Sequence, residues 1–544
     1  MSGTVYGAFR RAAAIHADRP FLCTPPQPAA SDGTEPRELT YAAAHGSIEE
    51  LRARYAGAGY GQGHRVGLLL ESRPEFFLHW IGLNALGVSV VPISADWRAS
   101  ELEYVIGHSE MCAAVALPSH IPDLARAGAS VGTHPALMSP DLGAVERAPP
   151  TPALAERAPD EATECALLYT SGTTGRPKAC VLPNEYYLWA GQWYAATGGR
   201  CDVRAGTERL ITPLPMSHMN AMAYSTMVML LTGGCIVALD RFHPRTWWDS
   251  VRSSRATIVH YLGVMPALLL AAEPASRDRE HSVRFGFGAG VGRQHHAAFE
   301  TRFGFPLLEA WAMTETGAGA VMIANREPRK IGTGCFGKAD PHVEYRVVDE
   351  EGCEAGPGTP GELLVRSAGV NPRFGFFREY LKDAAATDEA WRSGYFHTGD
   401  VVLVDADGDF HFVDRKKNVI RRSGENISAV EVEGVLAQHP SVASVAVTAV
   451  PDAVRGDEVF ACVVPKADVP ATERAALAAA LTGFCIERLA YFKAPGYVAL
   501  CDRLPLTATE KIQRGELRAL AQGLLERGEC TDTRPLKKRQ PSSS

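Results

Sequence analysis

An α/β fold is predicted, with a large N-terminal domain of doubly wound sheets that carries a barrel-like β segment, and a small α+β domain at the C-terminus. Three observations predict it. From Arg65 the chain reads RVGLLLES, then a helix-like run over 74–86, then Gly87 and VSVVPIS, which together make one β-α-β unit. Similar apolar strands recur between helix-like stretches at 165–169, 257–259 and 283–287, the alternation expected of sheets with helices on both faces. After Asp349 the pattern changes to short strands such as GELLVRS and VVLVDADGDFHFVDR, separated by Gly, Asp and Pro, which suits an antiparallel, barrel-like segment.

The C-terminal part is read in order as helix VEVEGVLAQHP, strand VASVAVTAVP, strand EVFACVVP, helix ATERAALAAALTGFCIERL and strand GYVALC. That is enough for a compact unit of its own. The expected boundaries are a large domain over 1–414, a junction at Arg415-Lys416-Lys417, a small domain over 418–527, and a disordered tail over 528–544 that ends in KKRQPSSS. A Pro/Ala-rich stretch over 148–159 is a surface connection. The charge-poor segment 221–239 is long enough to raise a membrane question. Thr232-Gly233-Gly234 interrupts it, however, so a buried helix, a glycine turn and a buried strand are expected, and no membrane span.

At 544 residues and 46% hydrophobic composition, the chain can fill several apolar layers. Its net charge of -7, with acids and bases interspersed, gives no basic stripe for a phosphate backbone, so nucleic acid is not an expected partner. The twelve cysteines are scattered, without a Cys-x-x-Cys pair or a zinc-type Cys/His spacing. They read as reduced thiols in the cytoplasm, and the arginine-interrupted N-terminus implies no export.

The strongest local chemistry lies at Tyr169-Thr170-Ser171-Gly172-Thr173-Thr174-Gly175-Arg176-Pro177-Lys178, directly after an expected buried strand. Its glycines let backbone N–H groups approach an anion, and the hydroxyls of Thr170, Ser171, Thr173 and Thr174 add donors, so the loop suits phosphates. It is not a Walker loop, because Arg-Pro separates Gly175 from Lys178. Standing alone, it would also serve as a flexible turn.

Five further segments follow in order: Gly288-Ala289-Gly290, Ala310-Trp311-Ala312-Met313-Thr314-Glu315, Gly394-Tyr395-Phe396-His397-Thr398-Gly399-Asp400, residues 414–433 and residues 504–514. Together with the loop they resemble the adenylate-forming, or AMP-binding, superfamily of acyl- and aryl-CoA synthetases, peptide-synthetase adenylation domains and firefly luciferase. The likeness runs from about residue 39 to 520. Segment RRSGENISAVEVEGVLAQHPSVASVAV and the GVGRQ run look closest to crotonobetaine/carnitine-CoA ligases.

The resemblance implies an ATP-dependent acid-thiol ligase that makes an acyl-adenylate and then an acyl-CoA thioester, with ATP, Mg²⁺ and coenzyme A. It implies that Thr170, Ser171, Gly172, Thr173, Thr174, Gly175 and Lys178 hold phosphates, with Thr170 also near the metal. Gly288 and Ala289 would line the nucleotide site, Thr314 would touch the phosphates and Glu315 would hold Mg²⁺, a hard cation that favours carboxylate oxygen. Asp400 would accept from the ribose hydroxyls and Arg415 would reach the same sugar. Lys511 matches the adenylation lysine, although Glu510 stands where most relatives carry glycine. The small domain would be mobile, swinging about a hinge at Lys417 to present either Lys511 to ATP or the loop with Gly424 to the pantetheine arm.

His218, in PLPMSHMNA, matches the position that gates the acyl tunnel, and a plain buried histidine is an equal reading. The resemblance implies that an amino-acid substrate is disfavoured, since peptide-synthetase adenylation domains usually carry an aspartate in this region for the substrate's α-amine and none lies between Asp202 and Asp240. Helical spacing puts Trp189 and Trp193 on one face, as a receptor for a quaternary ammonium or aryl acid, or as core. The partners expected are a small carboxylic acid and CoA, with a homodimer among the assemblies open to the chain. Three other functions stay open: an acyl-AMP ligase that loads a carrier-protein phosphopantetheine, a catalytically silent nucleotide-binding regulator, and, on fold alone, luciferase-type oxygenation.

Overall fold

The computed structural model describes residues 3–26, 37–141, 143, 145–149, 158–170, 177–349, 351–415, 420–423, 425–427, 429–505, 512 and 514–537. The chain divides into two units, one made of residues 1–95, 106–169 and 179–413, the other of 96–105, 170–178 and 414–544.

In the first unit, strand Arg65–Leu69, helix Pro74–Asn84 and strand Ser89–Pro92 form the expected β-α-β unit, with the strands parallel and Val66 opposite Val90. Pro74 opens the helix, where a missing N–H breaks no hydrogen bond. Every residue of this helix except Glu75 is buried, as its nearly unbroken apolar sequence requires. The pair belongs to a seven-stranded sheet whose order runs Glu379–Tyr380, Lys178–Pro183, Glu164–Thr170, Ser89–Pro92, Arg65–Leu69, Ala113–Ala116 and Ala136–Met138.

A second sheet of nine strands places Leu307–Trp311, Phe285–Ala289, Ile258–Leu262, Arg209–Thr212, Cys235–Ala238 and Pro20–Thr24 side by side, all parallel. Residues 221–239 cross no membrane. They form most of a π-helical turn Asn220–Ser225, helix Thr226–Thr232, a left-handed Gly233 and strand Cys235–Ala238. No helix among the described residues is long and apolar enough for a span. The barrel-like segment is a four-stranded antiparallel sheet in the order Val343–Val348, Gly361–Ser367, Phe396–Val404 and Phe410–Arg415.

The second unit is built on strand Gly456–Pro465, whose alternate residues face opposite layers. Val459, Ala461 and Val463 pack with Val432 and Leu436 of helix Ala429–Leu436 and with Leu481 and Cys485 of helix Arg474–Arg488. Phe460 and Cys462 face Leu517 and Ala521 of helix Arg514–Glu526 on the other side. A period of two therefore buries both faces of the sheet.

The expectation of a disordered tail from residue 528 is corrected here. Strand Thr531–Asp532 pairs with strand Tyr497–Leu500, and Thr533 Oγ1 donates to the Pro495 carbonyl at 2.8 Å. Lys537 ends the described chain with its Nζ 2.5 Å from Glu458 Oε1, in a fully buried ion cluster. Arg422 Nε meets the same carboxylate at 2.8 and 2.9 Å. A charged tail is read as solvated because its buried counter-charge lies far away in sequence.

Glu458→Ala is expected to destabilise the second unit by about 3–5 kcal/mol, because it removes the buried anion shared by Arg422 and by Lys537, whose pKa burial already lowers to about 7, and leaves the guanidinium unpaired. Urea unfolding of the whole chain checks this, and a shift under about 1 kcal/mol would place those groups in water.

Candidate active site

Two of the signature segments are brought together by sheet register. Strands Phe285–Ala289 and Leu307–Trp311 are parallel neighbours, with Gly288 opposite Glu309. Their carboxyl ends therefore carry Gly288-Ala289-Gly290 and Ala310-Trp311 to one edge of the sheet, the place where open parallel sheets bind ligands. Gly288 is needed there, since a Cβ would lie 2.2 Å from the Tyr261 carbonyl oxygen.

Glu309 fixes this edge. Its Oε2 accepts from Gly290 N at 2.9 Å, and its Oε1 accepts from Val291 N at 3.0 Å and from the Tyr261 hydroxyl at 2.9 Å. Burial raises its pKa and those donors partly offset the rise. Sequence reasoning missed Glu309. The available signal was a lone acid inside the otherwise apolar strand LLEAW.

Beyond Trp311, the segment Met313–Gly317 turns tightly. Met313 N donates to Thr316 Oγ1 at 3.0 Å, and Gly317 N donates to the Met313 carbonyl at 3.0 Å. The Tyr186 hydroxyl holds the Thr314 carbonyl at 2.9 Å, and the Glu315 carbonyl accepts from Phe377 N at 2.9 Å. The Glu315 side chain is buried, and its Oε1 accepts from the Tyr380 hydroxyl at 2.9 Å. Burial and the adjacent Glu315 push the Tyr380 phenol far above its ordinary range, so it stays protonated as a donor. Tyr380 was also missed, because it stands in a two-residue strand with no pattern of its own.

Asp400 is aimed by a bulge. On strand Phe396–Val404, Val401 faces Glu362 and His397 faces Leu364, so residues 398–400 lie against Leu363 alone. Gly399 supplies the φ of +67° that this irregularity needs. Thr398 Oγ1 donates to the Leu363 carbonyl at 2.7 Å and accepts from Asp400 N at 3.0 Å. The Asp400 side chain then meets Trp311, whose Nε1 donates to Oδ2 at 2.9 Å. Trp311, Thr314, Glu315, Gly288, Ala289 and Asp400 thus belong to the first unit.

The other expected residues are distributed differently. His218 is exposed at the turn leading into the π-helical Asn220–Ser225. Thr170 and Lys178 flank the phosphate-type loop in the second unit, with Thr170 Oγ1 3.5 Å from the Lys178 carbonyl. Ser171, Gly172, Thr173, Thr174, Gly175, Lys417, Gly424 and Lys511 lie outside the described residues. Arg415 is described only as the last backbone position of strand Phe410–Arg415.

Trp189 and Trp193 are packing residues. Trp193 donates from Nε1 to Asp340 Oδ2 at 3.0 Å and sits among Tyr194, Tyr224 and Phe287. Trp189 donates to the Ala318 carbonyl at 2.8 Å and packs on His342 and Phe374. A group of three acids, Asp405, Asp407 and Asp409, already surrounds the Lys330 ammonium at 2.5, 2.8 and 2.9 Å. Glu315 is therefore the better magnesium candidate among the described residues, as a buried hard-oxygen donor oriented by Tyr380.

A doubly wound large domain with nucleotide-type segments at its strand ends, followed by a small α+β domain, defines a two-domain nucleotide-using enzyme. The chain belongs to the AMP-binding enzyme family, whose model matches residues 9–374, and the model of the AMP-binding enzyme C-terminal domain matches residues 431–511. It is 29% identical over 502 residues to a crotonobetaine/carnitine–CoA ligase of Escherichia coli O45:K1, spanning 90% of this chain and 94% of that one. Among solved structures, a malonyl-CoA ligase with methylmalonyl-CoA and AMP bound matches with a TM-score of 0.73 and 27% identity, over 90% of this chain and 97% of that one. An o-succinylbenzoate CoA synthetase from Bacillus subtilis shares the fold, with a TM-score of 0.79 and 22% identity over 94% of this chain and 98% of that one.

Proposed function

We propose that the protein is an AMP-forming acyl-CoA ligase, which activates a small carboxylic acid with ATP as an acyl-adenylate and transfers the acyl group to CoA. The observation that carries this reading is the convergence of Gly288-Ala289-Gly290 and Trp311 at the ends of adjacent parallel strands, with Asp400 bonded to Trp311. CoA ligation is the activity named for the relatives described above, which match this chain along nearly its whole length.

The chemistry follows from charge. The acid is ionised at neutral pH, so its oxygen can attack the α-phosphorus of ATP without a general base. A P–O bond forms to the acid, the bond to the β-phosphate oxygen breaks, and pyrophosphate leaves. A thiol then attacks the carbonyl carbon of the mixed anhydride and AMP departs. In this reading Thr314 contacts the phosphates, Asp400 receives the ribose hydroxyls and Lys511 stabilises the charge that develops on the transferring group. Glu315 would hold Mg²⁺, which when bound neutralises phosphate charge. A hinge at Lys417 would let Lys511 and the Gly424 loop act in turn. A cytoplasmic setting is proposed as well, because all twelve cysteines carry free thiols.

The reading is tested with a panel of carboxylic acids in a pyrophosphate-release assay, run with CoA, with a phosphopantetheinyl carrier protein and with no thiol. At least one acid should release pyrophosphate, and CoA should convert its adenylate to thioester. Thioester formed only on the carrier protein would reassign the acceptor. ATP binding without release for any acid would point to the silent regulator.

A further inference from the structure

We propose that Trp311 is a positioning residue, whose indole N–H holds the Asp400 carboxylate in the orientation that receives the ribose hydroxyls of the nucleotide. The proposal rests on the reading of Asp400 as the ribose acceptor. Neither tyrosine nor phenylalanine has a ring N–H, so this contact is one that only the indole among the aromatic side chains of this size can make from its ring.

The geometry supports a dedicated contact. Nε1 of Trp311 lies 2.9 Å from Asp400 Oδ2, and the two side chains belong to residues 6% and 1% exposed, so water does not share the bond. Trp311 is the last residue of strand Leu307–Trp311, and its ring stacks on Phe336 at 6.1 Å with a 29° angle between planes. Asp400 approaches from a different sheet, where the bulge at Gly399 fixes its backbone. The bulge sets where Asp400 begins, while the indole sets where its carboxylate points. A donor to a buried carboxylate matters more than one in water, because that oxygen would otherwise turn toward another donor.

The test compares ATP with 2′,3′-dideoxyATP in pyrophosphate release, for the parent chain, Asp400→Ala, Trp311→Phe and the double variant. The readout is the ratio of kcat/KM for the two nucleotides, which a loss of stability alone does not change. Asp400→Ala should collapse the preference for ATP. Trp311→Phe should narrow it by about tenfold, and the double variant should match Asp400→Ala, since the indole acts through the carboxylate.

If Trp311→Phe fails to fold, 3-benzothienylalanine installed at position 311 replaces the N–H with sulfur at nearly the same shape, and the same narrowing is expected. A full collapse in Asp400→Ala with an unchanged ratio in both Trp311 variants overturns the proposal. A parent-like ratio in Asp400→Ala removes Asp400 as the ribose acceptor, and the proposal falls with it.

Discussion

Lys511→Ala is expected to lose acyl-adenylate formation by on the order of 10² to 10³ in rate or more, while thioester formation from a preformed acyl-adenylate and CoA stays largely intact. The asymmetry comes from where charge develops. In the first half-reaction an anionic carboxylate meets a polyanionic phosphate chain, and a cation aimed at the transferring phosphoryl group lowers the barrier. In the second half-reaction a thiol, giving up its proton, attacks a neutral carbonyl, and a single further negative charge develops on the phosphate oxygen of the departing AMP, with no polyanionic chain to approach. Lys511 is assigned to this task by its place in LPLTATEKIQR, near the end of the segment matched by the C-terminal domain model. Two assays on one folded sample decide the matter: pyrophosphate release from acid and ATP, and thioester yield from synthetic acyl-adenylate. Equal losses in both would remove Lys511 from the adenylation step.

The second large effect is expected for Glu315→Ala, which should cut pyrophosphate release at low Mg²⁺ on the order of a hundredfold or more, with partial recovery as Mg²⁺ is raised. Partners that merely orient a metal ligand are worth about 10–100-fold in metal affinity, and Glu315 is proposed as the ligand itself. Tyr380→Phe supplies the comparison, since it removes only the hydroxyl that fixes Glu315 Oε1 and should fall within that smaller range. The fold should survive Glu315→Ala, because the Met313–Gly317 turn is held by the Thr316 hydroxyl and backbone bonds rather than by the Glu315 side chain. The buried Tyr380 hydroxyl would lose its acceptor at a cost of about 1–3 kcal/mol, which thermal unfolding would register. Pyrophosphate release that is unchanged at low Mg²⁺ would exclude Glu315 as the ligand.

Much of the fold was legible because local pattern specifies it. The run RVGLLLES, the apolar helix after Pro74 and the strand after Gly87 state their own geometry, and the period-two alternation of EVFACVVP marks a strand buried on both faces. The segment 221–239 was readable for the same reason, with a glycine at the left-handed turn between helix and strand. The aromatic pair Trp189 and Trp193 was only half legible. Their spacing predicts a shared helix face, but a face toward a pocket and a face toward the core have the same spacing, and indole donors on Ala318 and Asp340 place both in packing.

By itself, the sequence determined the α/β class, the order of the elements and the residue types able to serve nucleotide chemistry, because these depend on periodicity, turn residues and functional groups within a few positions of one another. Only the tertiary structure decided how several of those residues are held. Trp311 reaches Asp400 across 89 positions, Tyr380 reaches Glu315 across 65, and Glu309 clamps Gly290 across 19. Lys537 finds Glu458 across 79, which turns the start of an apparent tail into part of a folded unit. Each of these is a buried polar group whose partner comes from a different strand or loop. Burial makes such a partner necessary, and strand register together with the bulge at Gly399 determines which one arrives.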